Sequence, residues 1–181
     1  GSIEKISQIL NWTIQNGTIP FSILARHGFI AVQLIRSLAE KEIITDKQAD
    51  DFFTSIETVA SDFNNDCFQL GCGQLSEGKF FEKYGHLRPG TYDITSSRYD
   101  QRDIDAFKTK RKNDISSNKF ELSIAQRKII SESLSSLNFE ISVDDLFAYC
   151  RNAIEAREYS KFMFTKNLSH AIDLIERWGS T

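Results

Sequence analysis

The feature that most constrains this chain is the stretch from Val143 to Trp178. It contains neither proline nor glycine, while Leu146, Phe147, Cys150, Ile154, Phe162, Ile172 and Ile175 recur at the spacing of one helical face. A run of that length and period has no strand solution, because strands are short and alternate their side chains every second residue. The same period fills most of the upstream sequence. Ile3, Ile6, Ile9, Leu10 and Ile14 predict a first helix that stops at Asn16-Gly17. Pro20 suits a first helical turn, and Phe21, Leu24, Phe29, Val32, Ile35 and Leu38 extend a second helix to about Lys41. Thr45 before Asp46 marks a third start, carried by Phe52, Phe53, Ile56, Val59 and Phe63 to about Phe63.

From Asn64 to Leu75 an Asn-Asn-Asp triplet and two glycines around Cys67 and Cys72 predict a loop. Ser76 then caps a short helix through Tyr84, ended by Gly85. Between His86 and Asp100 no period holds, and Pro89-Gly90 signals a turn. Arg102 to Lys112 reads as a short polar helix and Asp114 to Phe120 as a polar connection; the basic run Lys108, Lys110, Arg111 and Lys112 reads as a solvated face. Ser123 with Gln126 has capping-box spacing and opens a helix to about Leu137, and Ser142 with Asp145 is an acidic variant of the same start. No fixed-length repeat is present. The expected fold is therefore all-α: an irregular multi-helix bundle with one long functional loop at about 85–100, in which residues 3–181 form a single helical domain without a second independent core. Gly1-Ser2 reads as an expression scar, and a chain that opens directly in a helical pattern at Ile3 suggests a piece of a longer polypeptide.

Charge and cysteine content narrow the function classes. A net charge of −3 argues against a role built on neutralising nucleic-acid phosphates or anionic lipid. The three cysteines, Cys67, Cys72 and Cys150, are an odd set that cannot staple the domain in pairs, which fits a reducing compartment. No uninterrupted apolar run approaches the ~18 residues of a membrane span. A cytoplasmic protein without nucleic-acid or membrane partners is expected. Cys67 and Cys72 have no histidine near them in sequence, so no metal site is expected, and Gly71-Cys72-Gly73 is too short for a phosphate or dinucleotide loop. His27 and His170 read as ordinary helix histidines.

The segment Tyr84-Gly85-His86-Leu87-Arg88-Pro89-Gly90-Thr91-Tyr92-Asp93-Ile94, followed by Arg98, is different in kind. It gathers an imidazole, a guanidinium, a phenol and a carboxylate where proline and glycine hold turns. Such a loop can present a fixed donor fork to a carboxylate or phosphate. It can equally be stapled shut by an internal pair between Arg88 and Asp93.

This segment resembles the signature of the central helical region in enzymes related to phosphoenolpyruvate synthase and rifamycin phosphotransferase. The likeness extends to Gly17-Thr18-Ile19-Pro20-Phe21 with Ala25-Arg26, to Phe80-Phe81-Glu82-Lys83 before Tyr84, and to Arg157-Glu158-Tyr159-Ser160-Lys161-Phe162. What the resemblance implies is a three-part enzyme, in which an ATP-grasp domain energises a carrier histidine on a swivelling domain and a helical domain holds the acceptor. Splitting the transfer in two lets one domain energise and another choose the acceptor.

This chain resembles the middle part, with no histidine in a carrier setting. ATP and Mg2+ are then expected on the missing nucleotide-binding domain, no cofactor on this chain, and the isolated chain is expected to be inactive. Leu87 after His86, Arg88 displaced by one, and Thr91 where the rifamycin enzymes carry Glu point away from a rifamycin acceptor. The pattern is more similar to a subgroup of surface-polysaccharide biosynthesis that includes the kinase of the L-glutamine amide. On this reading His86 and Arg88 position the acceptor and phosphoryl group, and Arg26, Tyr92, Asp93, Arg98, Arg157, Glu158 and Lys161 bind a small polar acceptor. The alternative is a helical scaffold that positions the nucleotide-binding and phosphohistidine domains of the same polypeptide.

Overall fold

The computed structural model describes residues 2–111 and 119–179, and every regular element among them is helical. Helix α1 (Ser2–Thr13) does not stop at Asn16-Gly17. It passes through a π-helical turn, Ile14–Thr18, directly into α2 (Ile19–Glu40). Pro20 has no N–H for an α-helical bond, and its ring crowds the carbonyl four residues back. The wider turn just before it, closed by the Ile19 N–H on the Ile14 carbonyl, takes up that conflict without ending the helix. Gly17 serves close approach instead of termination, since a Cβ there would stand 2.6 Å from Cβ of Phe164. By length and composition the continuous helix Ile3–Glu40 is apolar enough to cross a membrane, with 22% of its most apolar window buried. A search for an uninterrupted apolar run passes over it because Asn11, Gln15, Asn16 and Arg26 break the run.

Helix α3 (Asp46–Thr54) opens on a reciprocal box in which Thr45 accepts from the Gln48 N–H and Gln48 accepts from the Thr45 N–H. It ends at Ser55, short of Phe63. Helix α4 (Val59–Gly71) then occupies much of the stretch expected as a loop. The polar triplet Asn64-Asn65-Asp66 covers the more exposed side of this helix, while Phe63, Cys67 and Leu70 keep the apolar period on the other. A Cβ on Gly71 would come within 2.2 Å of the Thr109 carbonyl, so the bare backbone lets the later loop lie against α4.

Helix α5 (Glu77–Tyr84) is capped by Ser76, whose side chain accepts from the Lys79 N–H. The short helix expected over Arg102–Lys112 is replaced by a 3-10 turn at Ile104–Ala106, and Phe107 then turns into the core. Residues 112–118, with Lys112 of the basic run and most of the expected polar connection, lie outside the described residues. Helices α6 (Ile124–Ser136) and α7 (Val143–Gly179) begin on the expected Ser123/Gln126 box and Ser142/Asp145 variant.

Two compact units are present, each with a buried apolar cluster, where the sequence suggested one core. The first unit comprises residues 1–22, 59–114 and 159–181, and Cys67, Leu70, Phe80 and Tyr84 form its centre. The second comprises residues 23–58 and 115–158 and is built around Ile35, Phe52, Ile130, Phe147 and Cys150. Both units are rich in edge-on and tilted aromatic contacts. Phe52 meets Phe120 at 5.2 Å and Phe147 at 5.4 Å, and Phe80 meets Tyr84 at 5.1 Å and Phe107 at 5.4 Å.

Candidate functional site

The His86–Arg98 loop belongs to the first unit and starts where α5 ends. Two backbone bonds close it, Tyr99 N–H to Leu87 carbonyl at 2.9 Å and Asp100 N–H to Gly85 carbonyl at 3.2 Å. Its ends therefore lie side by side, as in an Ω-loop. Gly85 permits the closure, because a Cβ there would stand 2.9 Å from Cβ of Asp100. Within the loop, the Asp93 N–H bonds the Gly90 carbonyl, and the Asp93 carboxylate accepts from both the N–H and the hydroxyl of Thr95. Those bonds hold the exposed Asp93 carboxyl below its ordinary range.

Asp93 thus serves its own turn and does not pair with Arg88. The partner of Arg88 is Asp173 on α7, eighty-five residues away in sequence. The Arg88 side chain is 2% exposed and all three of its nitrogens are engaged: Nε donates to Ser169 Oγ at 3.2 Å, one terminal nitrogen to the Ser96 carbonyl at 2.5 Å, and the other to Asp173. The second Asp173 oxygen receives Arg98 at 2.5 Å, and Arg98 also forks onto both oxygens of Asp100. Two guanidiniums and two carboxylates form a charge-balanced cluster. Arg88 and Asp173 are both nearly closed off from solvent within it, while Arg98 and Asp100 are partly open.

His86 is also buried. Its ring lies 4.9 Å from the Phe162 ring, and Nε2 is 3.3 Å from the Phe162 carbonyl, an acceptor, so the neutral ring carries its proton on Nε2. Nδ1 is then a buried lone pair without a hydrogen-bond partner among the described residues. Burial, with Lys166 and Arg98 nearby, pushes the imidazole from 6.5 down to about 4.

The remaining candidates divide. Tyr92, 72% exposed, and Asp93 lie on the outer edge of the loop, and Lys161 is an exposed position on α7 in the same unit. Arg26, Arg157 and Glu158 belong to the second unit. There Arg26 is exposed, while Arg157 lies 4.9 Å over the Phe29 ring and 3.3 Å from Glu158. His27 shares a hydrogen bond with Tyr149 Oη at 2.9 Å, and His170 is exposed. Among the described residues no group of three His, Cys, Asp or Glu is placed to hold a metal.

The residues that sequence reading missed are Ser169 and Asp173. With Thr165 they form a buried polar stripe at i, i+4 and i+8 on α7. Three polar residues at that spacing, inside a helix whose other inward positions are apolar, were the signal available. Compared with known proteins, the chain matches no family model, no curated protein and no solved structure.

Two outcomes follow for the isolated chain. Asp173→Ala leaves two guanidiniums facing each other without their shared anion and should cost about 3–5 kcal/mol, more than Arg88→Ala, which leaves Asp173 with Arg98. The double variant should cost less than the sum, and additive costs in chemical denaturation would show that the two do not interact.

For His86, the unfolded chain holds a proton between pH 6.5 and about 4 that the folded chain does not. Its contribution is therefore fully present above 6.5 and is lost as pH falls through the folded value. His86→Gln should remove roughly 3 kcal/mol of that acid-side loss. An unchanged slope of stability against pH would contradict the assignment.

Proposed function

We propose that this chain is the central helical domain of an ATP-dependent phosphotransferase of the kind related to phosphoenolpyruvate synthase, and that its main work is as a scaffold between a nucleotide-binding and a phosphohistidine domain. The observation that carries the scaffold reading is the Arg88–Asp173–Arg98 cluster. A guanidinium with every nitrogen committed inside the protein is not free to clamp an incoming anion, whereas it fixes the loop firmly to α7. The loop then offers a rigid outer edge, with Thr91, Tyr92 and Asp93, for a moving domain to meet. ATP and Mg2+ belong on the nucleotide-binding domain in this reading.

The acceptor-binding reading, with L-glutamine as acceptor in surface-polysaccharide synthesis, is favoured by one specific observation. His86 keeps an unpartnered Nδ1 lone pair, which is what a general base or a hydrogen-bond acceptor for an amide N–H would offer. Its burial requires the loop to open first.

The two readings separate in a polypeptide that carries this chain with both other domains, assayed for phosphoryl transfer to L-glutamine by phosphorus NMR. On the scaffold reading, Tyr92→Ala keeps KM for the acceptor within about twofold, and Arg88→Ala loses transfer and melting temperature together. A KM raised about tenfold by Tyr92→Ala at unchanged melting temperature would replace the scaffold with an acceptor site. Absence of transfer to any acceptor by the unaltered polypeptide would overturn the phosphotransferase reading itself.

A further inference from the structure

The second unit contains a cavity of about 420 Å³ between the C-terminal half of α2, α6 and the α6–α7 connection. Its floor reaches Ile35, Ile130 and Leu146, which belong to the buried core of that unit. Its walls are made by two helix ends of the same design. At the end of α2 the Ile43 N–H bonds the Leu38 carbonyl and the Glu42 N–H bonds the Ala39 carbonyl; at the end of α6 the Phe139 N–H bonds the Leu134 carbonyl and the Asn138 N–H bonds the Ser135 carbonyl. Both are Schellman caps, with Glu42 and Asn138 in the left-handed region at φ 55° and 58°. The apolar residue that such a cap places beyond the helix, Ile43 in one and Phe139 in the other, lines the cavity together with Leu38 and Leu134.

The rim is more apolar than a solvated surface requires. Leu137 is 67% exposed and Phe139 57%, with Leu34 and Ile141 also exposed at the opening. Ile23 and Ile30 continue the Leu34 face back along α2 at helical spacing, both exposed. A row of exposed apolar side chains of this extent, interrupted by His27 between Ile23 and Ile30, marks a partner site, and its length along α2 exceeds what one small ligand fills.

The charges beside it give the sign of that partner. Among the described residues Lys41 is the one charged residue lining the cavity, and Arg26 and His27 stand at the far end of the face beside Ile23. At the opening itself Glu42 stands between Lys41 and Ile43, Glu140 between Phe139 and Ile141, and Glu40 precedes Lys41. None of the three carboxylates has an ion-pair partner among the described residues. Two helix C-termini, with their partial negative charge, end at the same opening.

We propose that this face of the second unit is a docking groove for an amphipathic helix of a protein partner that carries basic residues beside its apolar anchors. A large apolar side chain from that helix fills the cavity, further anchors lie along Leu34, Ile30 and Ile23, and its Lys or Arg residues meet Glu40, Glu42 and Glu140. The site stands independently of the phosphotransferase reading, because none of its residues belongs to the His86–Arg98 loop.

The test uses the whole chain and three synthetic peptides: an amphipathic Leu/Lys helix, its Leu/Glu counterpart, and a Leu/Lys peptide of the same composition with the apolar face scrambled. Titration calorimetry should show saturable one-to-one binding of the Leu/Lys helix alone. Glu42→Lys with Glu140→Lys, both at exposed positions, should weaken that peptide at least about tenfold and transfer preference to the Leu/Glu helix. Phe139→Asp should abolish binding of both. Should Phe139→Asp unfold the chain, the charge-reversal pair still decides. Equal binding of all three peptides, no binding up to roughly 1 mM, indifference to charge reversal, or coverage of the face by self-association of the chain at the assay concentration would each overturn the proposal.

Discussion

Asp173 receives two guanidiniums from one loop, and the order of the first unit around that loop depends on it. Taking a carboxylate and an arginine out of water costs several kcal/mol per ion, and the cost is offset only where geometry is good and the remaining donors are satisfied. Here they are. Arg88 places its other nitrogens on Ser169 and the Ser96 carbonyl, and Arg98 donates to both oxygens of Asp100, so two positive charges meet two negative ones. Because the arginines enter from opposite ends of the loop, one carboxylate on α7 fixes both ends. Ser96 and Asp93 then organise the turn between them.

That arrangement changes what the polar loop can do. A guanidinium in an open turn is an anion receptor, whereas the same guanidinium engaged on all three nitrogens is a structural bolt that keeps its loop in one conformation. The residues left facing outward, Tyr92 and Asp93, gain a fixed position from it. His86 is the exception inside: it is buried against Phe162, neutral at physiological pH, and its Nδ1 is a buried nitrogen without a hydrogen-bond partner among the described residues.

Much of the fold was legible because its signals are local. Thr45 with Gln48, Ser123 with Gln126, and Ser142 with Asp145 announce helix starts within four residues, and the apolar period of α7 sets its whole length. The errors arose where a local signal had a distant cause. Gly17 looks like a helix stop until Phe164 is seen to need its space, and Asn64-Asn65-Asp66 looks like a loop until Phe63, Cys67 and Leu70 are seen to share a face. The site shows the same limit. Sequence identified the loop that holds Arg88 and Arg98, but their common partner lies on another element, and only the unexplained polar stripe Thr165, Ser169, Asp173 hinted at it.

The most direct measurement of the bolted loop is native-state hydrogen exchange at the Tyr99 and Asp100 amides, which close the loop onto Leu87 and Gly85. If Asp173 holds both ends, these amides exchange as slowly as the core of the first unit, and Asp173→Asn accelerates them by more than about tenfold beyond the change in the amides in the middle of α5, which follow global unfolding. Fast exchange at both amides in the unaltered chain, at the rate of an open surface loop, would contradict the account.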